Sequence, residues 1–159
     1  VIYDHGVLDA KEVAGILGAF DDQEHSIEWM FRDDENGIRF IYYSKWIDSV
    51  DTELNKITIG IFKKFCDKNG ISVEDVYMAR LTIMTQSKDA KVVYPEDGYP
   101  NPENVFIYFV SSSDRPITVN GQPVAAIAGG CLSVTGKDKY SFTVPDNDNF
   151  FIVAEVQYR

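Results

Sequence analysis

The chain has 159 residues, enough to bury a core as one domain without disulfide or metal staples. An apolar fraction of 45% and an aromatic fraction of 13% exclude a disordered chain. The formal net charge of −10 argues against a nucleic-acid backbone or an anionic membrane as partner, and leaves a basic partner, a small neutral ligand or plain solubility.

Val1 to Leu8 have neither the charged start nor the apolar stretch of a signal peptide. No apolar run approaches the ~18 residues needed to cross a bilayer. A short strand comes first, and His5, in Asp4-His5-Gly6, reads as a turn residue after it. Asp9-x-x-Glu12 is a capping box. It opens a helix whose apolar stripe is Val13, Ile16, Leu17 and Phe20, and Asp21-Asp22 closes it. His25 then reads as a surface residue at the helix exit.

Ser26 to Phe31 and Ile38 to Tyr43 are strand-like and joined by the acidic turn Arg32 to Gly37. Calcium would need a glycine at the sixth loop position and a distal glutamate. Gly37 falls fifth from Asp33 and no glutamate is correctly placed, so the turn reads as solvated. Ser49 or Asp51 can cap a second helix running to Asn69, with Leu54, Ile57, Ile61, Phe62 and Phe65 on its buried face. Lys63, Lys64 and Lys68 suit the negative end of its dipole, and Gly70 ends it.

Beyond Asn69 the chain becomes β. Val76 to Gln86 is a long strand with Met78, Arg80, Thr82 and Met84 on one face. Shorter strands follow at Lys91 to Tyr94, Asn104 to Val110, Pro116 to Val119, Val124 to Ile127, Cys131 to Thr135, Tyr140 to Val144 and Phe150 to Tyr158. Turn residues separate them, including the loop Glu96 to Pro102, Ser111 to Pro116, Asn120-Gly121 and Gly129-Gly130. Cys66 on the second helix and Cys131 on a strand read as buried small hydrophobes, not ligands or nucleophiles. A Ser–His–Asp relay would have to draw on His5 or His25, and no glycine-rich phosphate loop is present.

The predicted fold is α+β. It is a distorted double-stranded β-helix, or jelly roll, with two helices of the N-terminal half packed on one face. The whole chain, 1–159, makes one domain: 1–70 supply helices and hairpin, 71–159 the jelly-roll strands.

This order of elements resembles the small, often phage-encoded members of the iron(II)/2-oxoglutarate-dependent oxygenase superfamily, of the prolyl-4-hydroxylase-like kind. Arg80-Leu-Thr-Ile-Met84 looks like the strand before the metal loop, and Asn104 to Val110 like the strand after it. Val119-Asn-Gly-Gln-Pro-Val124 and Gly130 to Gly136 resemble the hairpin and strand leading to the second metal histidine. Phe151 to Tyr158 looks like the final strand.

The resemblance implies a metal motif of His-x-Asp/Glu and a distant His. Two imidazoles and a carboxylate hold iron(II) on one face and leave three positions for co-substrate and oxygen. A late arginine grips the far carboxylate of 2-oxoglutarate. Position by position, the metal loop falls at Tyr94-Pro95-Glu96-Asp97. The first histidine position is then Tyr94 or Pro95, and the carboxylate Glu96 or Asp97. The second histidine falls at Ser141 and the arginine near Phe151. The protein has only two histidines, and both precede this region.

A degenerate member without catalytic residues, metal or cofactor is therefore expected. Its vestigial pocket comprises Tyr94, Glu96, Asp97, Tyr108, Ser141 and Phe151, and the barrel interior should be plugged by aromatics. The expected role is a structural or protein-interaction module, in a phage virion or as an accessory protein in host cytoplasm. Partners would be proteins, including copies of itself, with no nucleic acid and no membrane. Two alternatives stand beside it. One is an oxygenase with non-standard ligands acting on a protein or nucleobase. The other is a small-ligand or sugar-binding jelly roll with an open pocket lined by Tyr94, Tyr99 and Tyr108.

Overall fold

The computed structural model describes residues 1–23, 30–34, 37–44, 53–84, 91–94, 103–143 and 150–159. A short strand, β1 (Ile2–Asp4), leads into α1 (Ala10–Gln23). The capping box is reciprocal. Asp9 Oδ1 accepts from the Glu12 N–H at 2.8 Å, and the Asp9 N–H donates to Glu12 Oε1 at 3.3 Å. The helix runs through Asp21-Asp22 to Gln23, further than the acidic pair suggested. His25 and residues 24–29 lie outside the described residues.

The hairpin is β2 (Met30–Asp34) and β3 (Gly37–Ser44), paired with Asp34 opposite Gly37. Arg32, Asp33 and Asp34 are therefore ladder residues, not the turn expected of them. The helix α2 (Glu53–Asn69) ends as its sequence demands. Gly70 takes φ 64°, a left-handed conformation that a side chain disfavours. The Ile71 N–H then reaches back to the Cys66 carbonyl at 2.9 Å. The lysines of its second half do more than face the dipole. Lys64 binds Glu12 at 2.7 Å and Lys68 binds Asp4 at 2.8 Å, tying α2 to α1 and to β1.

Eight strands complete the chain: β4 (Val76–Met84), β5 (Lys91–Tyr94), β6 (Asn104–Phe109), β7 (Ile117–Val119), β8 (Gln122–Val124), β9 (Cys131–Thr135), β10 (Tyr140–Thr143) and β11 (Phe151–Tyr158). The strand expected at Val124 to Ile127 lies earlier, at Gln122–Val124. The two-residue turn Asn120-Gly121 folds the chain straight back, with Val119 opposite Gln122. Pro123 is tolerated because β8 is an edge strand.

The strands form two antiparallel sheets. The larger has the order β1-β9-β6-β11-β4-β3-β2, and the smaller β5-β10-β7-β8. From β4 onward the chain passes back and forth between them, with only the β7–β8 hairpin staying in one sheet, which is the double-stranded β-helix. Strand β11 sits at the centre of the larger sheet, and all eight of its residues are buried. Its alternate residues feed two cores. Ile152, Ala154, Val156 and Tyr158 face the helices, where Phe62 packs on Phe106 and Tyr158 at 5.3 and 4.9 Å between ring centres. Phe151 and Val153 face the smaller sheet. No described helix is long and apolar enough to cross a membrane.

Candidate functional site

The space between the sheets is where this topology can hold a ligand, and two kinds of residue line it. One half is apolar. Phe109, Phe142 and Phe151 are fully buried there, with Met84, Ile107, Ile117, Val119, Leu132, Val134 and Tyr140. The Phe151 ring lies 6.2 Å from Phe109 and 5.9 Å from Phe142, and Tyr140 meets Phe142 edge-on at 6.1 Å. Rings at these separations attract one another.

The other half is polar. Residues 78, 80 and 82 of β4 share the inward face with Met84, and residues 155 and 157 of β11 share it with Phe151 and Val153. Arg80 stands directly opposite Glu155. The Arg80 Nε–H donates to Glu155 Oε2 at 2.7 Å, with both side chains 1% exposed. Thr82 and Gln157 are fully buried beside them. Among the described residues, Thr82 Oγ1 and Glu155 Oε1 have no hydrogen-bond partner. Such atoms call for a buried water or a bound polar group. The alternation of β4 and β11 was the only sequence signal for this cluster: one charged and one neutral polar residue at alternate positions of a strand that is apolar on its opposite face.

The residues expected to form a vestigial pocket do not all meet. Phe151 is in the interior, at the start of β11. Tyr94 ends β5, and its backbone pairs with Tyr140 of β10. Ser141 pairs with Val93 and Thr118 but lies between Tyr140 and Phe142, both of which belong to the interior cluster. Side chains alternate along a strand, so Ser141 is on the outward face and Tyr140 holds the inward place at this level. Tyr108 is also outside the interior. On β6 the residues Val105, Ile107 and Phe109 face the smaller sheet, whereas Phe106 and Tyr108 pack under the helices. Burial there pushes the Tyr108 phenol far above its ordinary range, with the Cys131 thiol opposite as a lesser cause. Glu96, Asp97 and Tyr99 lie outside the described residues.

The described interior residues do not by themselves make a site for an iron(II) ion. The described interior offers one carboxylate, Glu155, whose charge Arg80 already offsets. A guanidinium in the same buried cluster repels a divalent cation. No three His, Cys, Asp or Glu side chains come together among the described residues. His5 is on the outer surface, its ring 5.5 Å from that of Tyr3, and it borders a recess of about 480 Å³ with Leu8, Val13, Leu17 and Gly129. Burial raises the thiols of Cys66 to about 11 and Cys131 to about 12.

No family model matches the sequence, and no curated protein matches it. Solved structures do. The epimerase SnoN from nogalamycin biosynthesis, described as non-heme and alpha-ketoglutarate-dependent, superposes with a TM-score of 0.72 at 12% identity, over 99% of this chain and 76% of that one. A prolyl-4-hydroxylase from Pseudomonas putida gives 0.69 at 10% identity, over 99% and 91%. HygX from Streptomyces hygroscopicus, solved with nickel and 2-oxoglutarate bound, gives 0.68 at 8% identity, over 99% and 81%. The fold is thus that of the 2-oxoglutarate/iron(II) oxygenases, a double-stranded β-helix with helices on one face. At these identities the likeness is one of fold alone.

Proposed function

We propose that this chain is a catalytically silent oxygenase-type β-helix serving as a structural or protein-interaction module. One observation carries the reading: Phe151, at the position the resemblance gives to the co-substrate arginine, is wholly buried against Phe109 and Phe142. A phenyl ring cannot pair with the far carboxylate of 2-oxoglutarate, and burying that carboxylate without a partner is costly. Tyr140 supports it further, since a neutral phenol at an inward β10 position is a poor substitute for imidazole.

The module would work through its surface. Among the described residues the larger sheet ends at β1 and the smaller at β8, so both strands present a side unpaired by any described strand. Val1, Ile2, Tyr3 and Ile127 leave apolar surface exposed, and the Tyr3 hydroxyl ties β1 to the Ala125 carbonyl at 3.0 Å beside Ile127. The turn from Ser111 is tied down by side-chain hydrogen bonds. Ser111 Oγ accepts from the Ile152 N–H at 2.9 Å, and Ser112 Oγ accepts from the Ala128 N–H at 2.8 Å. The partner in this reading is a protein, other copies of the chain included. The setting, a phage particle or a phage accessory role, rests on the sequence resemblance.

Anaerobic titration with iron(II) and 2-oxoglutarate tests the proposal. The expected result is no visible charge-transfer band and no succinate when air is admitted. Stoichiometric iron binding with succinate formation would overturn it in favour of an oxygenase with unusual ligands.

A further inference from the structure

The link between β7 and β8 is Asn120-Gly121, with φ 51° at Asn120 and 78° at Gly121. Both residues are exposed. Asn-Gly suits this tight turn because both positions need a left-handed backbone. The same dipeptide is chemically weak, since no side chain on the glycine shields its backbone nitrogen from the neighbouring side-chain amide.

The structure restrains that amide from both ends. Asn120 Nδ2 donates to Asp138 Oδ1 at 2.7 Å, and Asn120 Oδ1 accepts from the Lys139 N–H at 2.9 Å. The Asn120 N–H also donates to the Lys139 carbonyl at 2.7 Å. Asp138 is itself anchored. Its Oδ2 accepts from the Thr135 N–H at 2.7 Å and from the Thr135 hydroxyl at 2.9 Å. The β7–β8 turn, 120–121, and the β9–β10 link, 136–139, are thereby clipped together next to the Val119–Tyr140 pair.

We infer that Asn120 is a self-modification site, a deamidation centre that the fold holds closed through Asp138. In the reaction the Gly121 nitrogen attacks Asn120 Cγ, so an N–C bond forms and the Cγ–Nδ2 bond breaks. Ammonia leaves, taking up the proton lost by the Gly121 amide. Water then opens the cyclic imide to aspartate or isoaspartate, and no oxidant or metal is needed. For the attack the side-chain amide must turn toward Gly121, which breaks both of its hydrogen bonds. Modification therefore waits on opening of this end of the sheet. The product cannot close the clip again, because a carboxylate at 120 would face the Asp138 carboxylate with no proton to share. Isoaspartate at 120 is then a chemical record of local opening beside Tyr140.

Peptide mapping of the folded protein, the protein in urea and Asp138→Ala, incubated in mildly alkaline buffer, tests this. Deamidation at 120 is expected to be roughly 10- to 100-fold slower in the folded protein than in urea, and Asp138→Ala should remove most of that protection, as loss of a charged hydrogen bond implies. Equal rates in the folded and urea-treated protein would overturn the inference, as would full protection in Asp138→Ala. Should that variant not fold, Asn120→Asp supplies one product directly. It is expected to unfold at lower urea than wild type at neutral pH, and unchanged midpoints would equally overturn the inference.

Discussion

Replacing Glu155 with Gln keeps the shape of the side chain and removes its charge, leaving the Arg80 guanidinium 1% exposed and facing a neutral amide. Two unit charges about 4 Å apart at an effective dielectric near 20 attract by ~4 kcal/mol. Removing one partner of a buried pair typically costs about 3–5 kcal/mol. Against a total stability of about 5–15 kcal/mol this is a large loss. At roughly 2–4 °C per kcal/mol for a chain of this size, the melting temperature should fall by about 6–20 °C. Urea titration followed by circular dichroism reads the change. The double replacement Arg80→Met with Glu155→Leu removes both charges and also relieves the unpartnered Glu155 Oε1, so it should recover to within about 2 kcal/mol of wild type. If Glu155→Gln costs less than about 1 kcal/mol, the pair is not shut away between the sheets and the account of the interior fails.

Three further expectations follow from the packing and the charges. Gly129 has φ 90°, and a Cβ there would lie 2.6 Å from Val13 Cγ2, so Gly129→Ala should cost about 1–3 kcal/mol in urea titration, with part regained when Val13 is also made alanine. Neither Cys66 nor Cys131 should react with a thiol reagent in the native protein at mildly alkaline pH, and both should react once it is unfolded; rapid native labelling would contradict their burial. Asp138 is held below the ordinary carboxylate range by Asn120 and then by the Thr135 N–H, and Asp4 by Lys68 and then by the Gly6 N–H. A folded pKa below the unfolded one means the unfolded chain binds more protons as pH falls, so this stabilisation is present above about pH 4 and lost as pH drops through the folded values. The urea midpoint should therefore decline on acidification, and less steeply in the Asp4→Asn, Asp138→Asn double variant.

Local chemistry made much of this molecule legible from its sequence. The capping box at Asp9 and Glu12, the left-handed stop at Gly70 and the Asn120-Gly121 turn each act over a few residues, so neighbours alone determine them. The helix stripes and the run of short strands set the fold class in the same way. Other features depended on which segments meet. Arg80 and Glu155 lie 75 residues apart, and only the central placement of β4 against β11 turns two ordinary polar residues into a buried pair. Tyr140 and Ser141 differ by one position, yet a strand's period of two sends one inward and the other outward, a choice made by register against β5 and β7. Tyr108 was turned toward the helices by the same parity on β6. Sequence decided the elements because short-range sterics and hydrogen bonds suffice for them; tertiary structure alone decided which face of each strand met the interior, because that depends on partners distant along the chain.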